Sequence, residues 1–180
     1  PLISQNYVNN MRRTDGSNIA AIDIGQNSAG AVITQNRIHG IVQASSGGWG
    51  AYGINISSGT GNTNFLIANN AITEISTMNY NASSTTYNPF GIRITGGTGH
   101  KLYYNSVNLY GVQGTAGGNP SLSSALLITS ASVNSLDIRN NVFSNSLEGL
   151  AGSNSYAICV IGSATSFANI DNNDYYGSGP

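Results

Sequence analysis

Apolar positions recur along this chain in two alternating blocks. The first block is an apolar residue, two residues of any kind, an asparagine, one further residue and a second apolar residue. It occurs six times: "ISQNYV" from Ile3, "ITQNRI" from Ile33, "IANNAI" from Ile67, "LYYNSV" from Leu102, "IRNNVF" from Ile138 and "IDNNDY" from Ile170. Its fixed asparagines are Asn6, Asn36, Asn70, Asn105, Asn141 and Asn173, separated by 30, 34, 35, 36 and 32 residues. The second block lies eight to eleven residues upstream of five of these copies. It reads "AAIDI" (20–24), "YGINI" (52–56), "FGIRI" (90–94), "SALLI" (124–128) and "YAICV" (156–160). Alternation with period two is the signature of a strand that buries one face. No sustained helical stripe competes with it, and strong helix formers are few.

A unit of 30–36 residues with a few short strands cannot bury its apolar side alone. Stacking successive units buries a continuous core, which is the logic of a solenoid. The fold expected is all-β: a parallel β-helix of about five to six coils, spanning residues 1–180 as one segment. Stacked coils place each motif residue over its counterpart. A strict period of two puts Tyr52 and Phe90, in stacking reach, on the same side as Ile22, Ile54, Ile92, Leu126 and Ile158. It turns the small column Ala21, Gly53, Gly91, Ala125 and Ala157 outward, along with Asp23, Asn55, Arg93 and Cys159. The repeated asparagine, Asn141 among them, reads as a former of the sharp turn between two strands, since Asn tolerates left-handed backbone angles. Stacked, Asn6 through Asn173 can also form an internal amide ladder. The residue before each, Asn140 for example, belongs to an outward polar row.

The block "GIRI … LYYNSV" and its copies resemble the right-handed parallel β-helix repeats of pectate-lyase-like and periplasmic copper-maturation-type proteins. Almost the whole chain shares this resemblance. It implies the fold strongly and the function weakly, because such repeats serve lyases, hydrolases, phage tailspikes and surface proteins alike. The Ser-, Thr-, Asn- and Gly-rich loops are similar in texture to large secreted surface proteins of Bacteroidota-type bacteria.

Composition narrows the partners. Only 7% of residues are charged and the net charge is −1, with six Lys plus Arg. That is too little positive charge to track phosphates, so neither nucleic acid nor an anionic membrane is an expected partner. No run approaches the roughly 20 apolar residues that span a bilayer. One cysteine excludes an internal disulfide framework. A neutral surface rich in hydroxyl and amide groups fits an extracellular or cell-surface location. The chain starts inside a motif copy, which suggests a segment of a longer protein. Its expected partners are neighbouring β-helix coils, other domains or copies of itself, and a polysaccharide.

Candidate chemistry is sparse. The weak catalytic candidates are Asp137, Arg139 and Asp171, in the outward columns of the Asn-motif strand. There Lys101 stacks on Asp137 and Arg139 on Asp171, which reads as two surface ion pairs. Glycosidases need two carboxylates about 5–10 Å apart, and no such acid pair is legible. Asp171 and Asp174 flank the last Asn turn and suit at most a weak cation; no metal or other cofactor is expected. His100 falls in an inward column with Ala31, Phe65, Leu136 and Ala168 and reads as a buried structural histidine. The glycine-rich "SGTGN" (58–62) and "TGGTG" (95–99) precede no helix and read as turns rather than phosphate cradles. "NIS" (55–57) and "NAS" (81–83) match glycosylation sequons. Tyr80, Tyr87, Tyr103, Tyr104 and Tyr110 are grouped around the third and fourth coils as a candidate carbohydrate-binding surface. The functional expectation is a non-enzymatic structural or adhesive segment, with a carbohydrate-binding or carbohydrate-active module as the alternative.

Overall fold

The structure, a computed structural model, describes residues 1–59, 61–78, 84–115, 118–161 and 166–178. The first coil is β1 (Leu2–Ser4), β2 (Tyr7–Arg13) and β3 (Ile19–Ile24). The second is β4 (Val32–Thr34), β5 (Arg37–Gln43) and β6 (Ala51–Ile56). The third is β7 (Leu66–Ala68), β8 (Ala71–Thr77) and β9 (Pro89–Ile94), and the fourth is β10 (Lys101–Tyr103), β11 (Ser106–Val112) and β12 (Leu122–Ile128). The fifth is β13 (Leu136–Arg139), β14 (Val142–Glu148) and β15 (Asn154–Val160), after which β16 (Phe167–Asp171) and β17 (Asp174–Gly177) begin another.

Each strand pairs in parallel with its counterpart one coil away. The result is three sheets: six short strands from β1 to β16, six longer ones from β2 to β17, and five from β3 to β15. The chain is therefore a parallel β-solenoid of about five turns. Its register is the one the repeat predicts, with Ile3 over Ile33, Ile33 over Ile67, Ile67 over Leu102, Leu102 over Ile138 and Ile138 over Ile170. One departure falls in the last coil, where the register shifts and Phe167, not Ala168, lies over Leu136. The inward columns of all three sheets meet in one core, in which Ile33, Ile54, Ile67, Ile92, Leu102 and Ile138 are fully buried.

The Asn corner divides its labour differently from the sequence reading. The left-handed residue is not the repeated asparagine but the one before it. Gln5, Gln35, Asn69, Tyr104, Asn140 and Asn172 all have φ between 52° and 58°. Their side chains are exposed, as the polar row implied. This corner residue turns the chain, and the repeated asparagine behind it points inward. Asn36, Asn70, Asn105 and Asn141 are each 1% exposed. The backbone N–H and the Nδ2 of Asn70 both donate to Oδ1 of Asn105, at 3.1 and 3.0 Å. The second Nδ2 hydrogen donates to Ile33 O at 2.9 Å. Asn105 repeats this with Asn141 and Ile67, and Asn141 with Asn173 and Leu102. Asn6 and Asn36 begin the same series. The expected amide ladder is thus present, and each interior side chain bonds both adjacent coils, with Asn141 Nδ2 also donating to Arg139 O of its own coil.

The third sheet corrects the strict period of two. Ala125 and Leu126 are consecutive, yet both belong to the inner core. The ladder pairs Tyr52 with Phe90 and Ile54 with Ile92 but skips the residue between. One extra inward residue per coil shifts the alternation by half a step. The small column therefore faces inward, not outward, because only a small side chain fits against the second sheet. A Cβ on Gly53 would lie 2.6 Å from Gly91 O, and one on Gly91 would lie 2.6 Å from Ala125 O and overlap Val107 Cγ1. The idea of this column as a docking surface falls with its orientation.

Tyr52 and Phe90 consequently lie on the outer face of the third sheet. They do stack, with centroids 6.1 Å apart and planes at 13°. They are buried nonetheless, in a second cluster with Leu122 and Leu127. Residues 84–88 fold back over them: the Tyr52 hydroxyl donates to Thr86 O, and Arg93 Nε to Thr85 O at 2.7 Å.

Two stability predictions follow from this packing. Asn105→Ala should cost on the order of 3–5 kcal/mol in a denaturant titration, because it strands the Asn70 donors and Ile67 O in the core; Asn108→Ala, three residues on at a half-buried position of β11, should cost under about 1 kcal/mol. Gly91→Ala should cost about 1–3 kcal/mol by overpacking against Val107 and the β12 backbone, although alanine suits a strand better than glycine does.

Candidate functional site

The residues singled out by sequence lie on three different faces. Tyr103, Asp137 and Arg139 come together on the outer face of the first sheet. Lys101 and Tyr103 of β10 lie in register with Asp137 and Arg139 of β13. Instead of pairing across coils, Arg139 turns back along its own strand, and its Nε donates to Asp137 Oδ1 at 2.6 Å. The Tyr103 hydroxyl donates to Asp137 Oδ2 at 2.6 Å, and the guanidinium sits over the Tyr103 ring at 5.4 Å. Arg139 holds the Asp137 carboxyl below its ordinary range, against an opposing effect of burial and with further help from Tyr103. The Tyr103 hydroxyl is pushed up, first by burial and then by the carboxylate it bonds.

Asp171 is in register with Arg139 but does not pair with it. Its carboxylate accepts from the backbone N–H and Nδ2 of Asn172. The two ion pairs expected across coils are replaced by one pair within a strand. Tyr103, Tyr104, Arg139 and Asn140 line a shallow depression of about 160 Å³. Its lining carries two phenols, a guanidinium and an amide but no carboxylate.

The other tyrosines do not join this group. Tyr87 packs edge-on against Trp49, centroids 5.4 Å apart, in the segment covering the third sheet. Tyr110 lies on the second sheet, where its hydroxyl donates to Glu74. Tyr80 and the 81–83 sequon lie outside the described residues. The other sequon asparagine, Asn55, is 7% exposed and bridges Asp23 and Arg93, so in the folded chain it is committed to that column.

The second sheet carries a cluster that sequence reasoning did not assemble. Glu74 accepts from Tyr110, and its other oxygen is 3.4 Å from His39 Nε2. The His39 Nδ1 lies 3.0 Å from Thr73 Oγ1. Depressions of about 280 and 250 Å³ flank Glu74, lined between them by Arg12, Val42, Ser76, Tyr110 and Val112. Glu74 also has φ 55°, in the column of Asn10 and Gly40, both left-handed as well. Asn and Gly adopt that conformation readily, whereas Glu pays for it. The signal was therefore legible in principle: aligning "VNNM", "IHGI" and "ITEI" sets Glu where the other coils carry left-handed formers.

Among the described residues no three His, Cys, Asp or Glu side chains group to hold a metal. Cys159 is half-buried and its thiol is pushed up by burial, so it is a poor nucleophile. His100 is fully buried, stacked on Phe65 at 5.0 Å between centroids. Its Nδ1 accepts from Phe65 N–H at 3.3 Å, and its Nε2 donates to Gly96 O at 3.0 Å. That fixes a neutral tautomer, and burial, only partly offset by the Gly96 bond, lowers its pKa from the ordinary 6.5. The glycine-rich stretches are coil-to-coil turns, joined by the bridges of Asn62 to Thr98 and of Thr98 to Asn134. Comparison with known proteins gives no matching family, no matching curated sequence and no matching solved structure.

The histidine yields a pH prediction. A depressed folded-state pKa means that the unfolded chain binds the extra proton first, so stability falls as pH drops below about 6.5. The denaturant midpoint should decrease between pH 7 and pH 5. His100→Gln, which keeps an amide for hydrogen bonding but does not titrate, should flatten that slope.

Proposed function

We propose that the chain is a non-enzymatic structural segment, a rod-forming element of a stalk, filament or adhesin in a larger secreted or cell-surface protein. The observation that carries this reading is the unbroken Asn ladder. Six coils spend their conspicuous repeated polar residue on cohesion along one axis, and the inward columns do the same with apolar residues. Such a fold resists extension and bending, which is what a spacer requires. The acidic side chains of the outer faces are held by neighbours on their own face: Asp137 by Arg139 and Tyr103, Asp23 by Asn55, Glu74 by Tyr110. The resemblance to pectate-lyase-like repeats is compatible with this role, since such coils serve surface proteins as well as enzymes.

One observation favours a second reading, carbohydrate binding. The depressions beside Glu74 combine a carboxylate, a guanidinium, a phenol and exposed Val112, a mixture suited to sugar hydroxyls and CH faces. Enzymatic turnover would have to use Asp137, Arg139 and Asp171.

A panel of neutral and uronate polysaccharides, assayed for new reducing ends and unsaturated products, tests the main reading. No turnover is expected, and the variants Asp137→Asn and Asp171→Asn should behave as wild type does. Turnover that either substitution abolishes would overturn the structural assignment. Retardation in glycan-containing native gels, relieved by Glu74→Gln, would favour the second reading.

A further inference from the structure

The ladder of the second sheet is not uniform. Between β2 and β5 the register passes from Asn9 over His39 to Met11 over Ile41, and between β5 and β8 from His39 over Thr73 to Ile41 over Ile75. The skipped residues Asn10, Gly40 and Glu74 are all left-handed, with φ of 50°, 66° and 55°. They form one column of bulges, each a residue that the ladder leaves unpaired. The fourth coil breaks the column. β8 and β11 pair as far as Thr73 over Asn108 and meet again where Gly114 N–H donates to Thr77 O, which sets Gly114 against Met78. Between those points β11 runs through five residues (109–113) and β8 through four (74–77), so β11 carries a bulge of its own and Tyr110, Gly111 and Val112 stand exposed.

A groove lies beside this step. The depression of about 280 Å³ reaches from Glu74 and Ser76 to Tyr110 and Val112, and that of about 250 Å³ reaches from Glu74 back to Asn10 and Arg12. Gly40, Val42 and Glu74 line both, so the two are halves of one groove that crosses the first four coils parallel to the solenoid axis. Gly40 keeps the halves joined, because it is the one member of the bulge column without a side chain and lies between Asn10 and Glu74.

We propose that this groove holds a linear, uncharged glycan lying parallel to the solenoid axis. The inference rests on the carbohydrate-binding reading above and names the sugar class within it. Three coil spacings of about 4.8 Å give a groove roughly 14 Å long. Each half is smaller than the roughly 300 Å³ at which sites for drug-sized molecules begin, so each takes a single ring. Arg12 and Glu74 end in planar forks, and each can hold two neighbouring hydroxyls. Asn10 and Ser76 supply further hydrogen bonds, and the methyls of Val42 and Val112 face CH groups. Glu74 keeps capacity for this: one oxygen takes the Tyr110 hydroxyl and the other lies 3.4 Å from His39 Nε2, which leaves lone pairs on both. The Tyr110 bond also fixes the carboxylate between the two halves. A glutamate in a left-handed conformation is strained, and such strain is retained where it aims a functional group. With one guanidinium and one carboxylate in the lining, an acidic or a basic chain gains at one group what it loses at the other.

Titration calorimetry of the whole chain tests this, with β-linked glucose and mannose oligomers of one to six residues and with galacturonate and glucosamine oligomers of the same lengths. Affinity for a neutral oligomer should rise steeply up to the second ring and level off beyond the third. Gly40→Asn keeps a residue suited to the left-handed angle, as Asn10 shows, and fills the middle of the groove. Val112→Glu, at a position 73% exposed, leaves the core untouched and crowds one end with a second carboxylate. Each should weaken binding of the neutral oligomers about tenfold or more, and Val112→Glu should do so with an unchanged denaturant midpoint. Tighter binding of the galacturonate or glucosamine oligomers would overturn the inference while carbohydrate binding itself stands. So would neutral binding that both variants leave as it was. If no oligomer binds, this inference and the carbohydrate-binding reading fall together.

Discussion

A primary amide in a protein core must have its hydrogen bonds made inside it, and this solenoid is organised around meeting that condition. An isolated buried asparagine side chain costs on the order of 1–3 kcal/mol for each group left without a partner. Here each interior asparagine donates to one neighbour along the axis, accepts from the other, and sends its second Nδ2 hydrogen to the carbonyl of the preceding coil. The requirement can only be met if every coil places its asparagine at the same corner. The corner residue, the register of the first sheet and the spacing of the repeat all depend on it. A one-residue slip in any coil would break two rungs at once and turn its apolar column to solvent.

The same condition explains where variation is permitted. Repeat length differs from coil to coil, and the differences fall in the segments between sheets, where the ladder imposes nothing. One of these segments has been given a task. Residues 84–88 cover the outer face of the third sheet and bury the Tyr52 ring, whose hydroxyl burial pushes up to about 12. That face becomes a second, smaller core under a lid. The first and second sheets keep their outer faces open, and the polar chemistry of the chain is found there.

That chemistry is divided rather than converged. Asp137, Arg139 and Tyr103 neutralise one another on the first sheet, and His39, Glu74 and Tyr110 meet on the second. A catalytic centre brings groups with opposed tasks into one cleft. A solenoid distributes residues by column, so side chains meet only when they share a sheet and lie one or two coils apart. For this reason Tyr87 and Tyr110 lie on other faces than Tyr103 and Tyr104, which share one depression, although all four are near in sequence.

The sequence by itself determined the solenoid, its register and its ladder. The repeat spacing aligns Asn70 with Asn105 and Ile67 with Leu102, and parallel stacking of equal units leaves no other consistent pairing. It also determined that His100 is internal and that Asp23, Asn55 and Arg93 form one column. Tertiary structure decided which way some of those columns face. The sequence reading assigned the left-handed angle to Asn141, but the corner needs it one residue earlier so that the amide can point inward. It placed Gly91 outside by strict alternation, but an extra inward residue in each coil turns that column toward Val107. Both differences have one cause. A half-step in backbone direction leaves the spacing of the repeat unchanged and is set by what the next sheet can accommodate at contact distance.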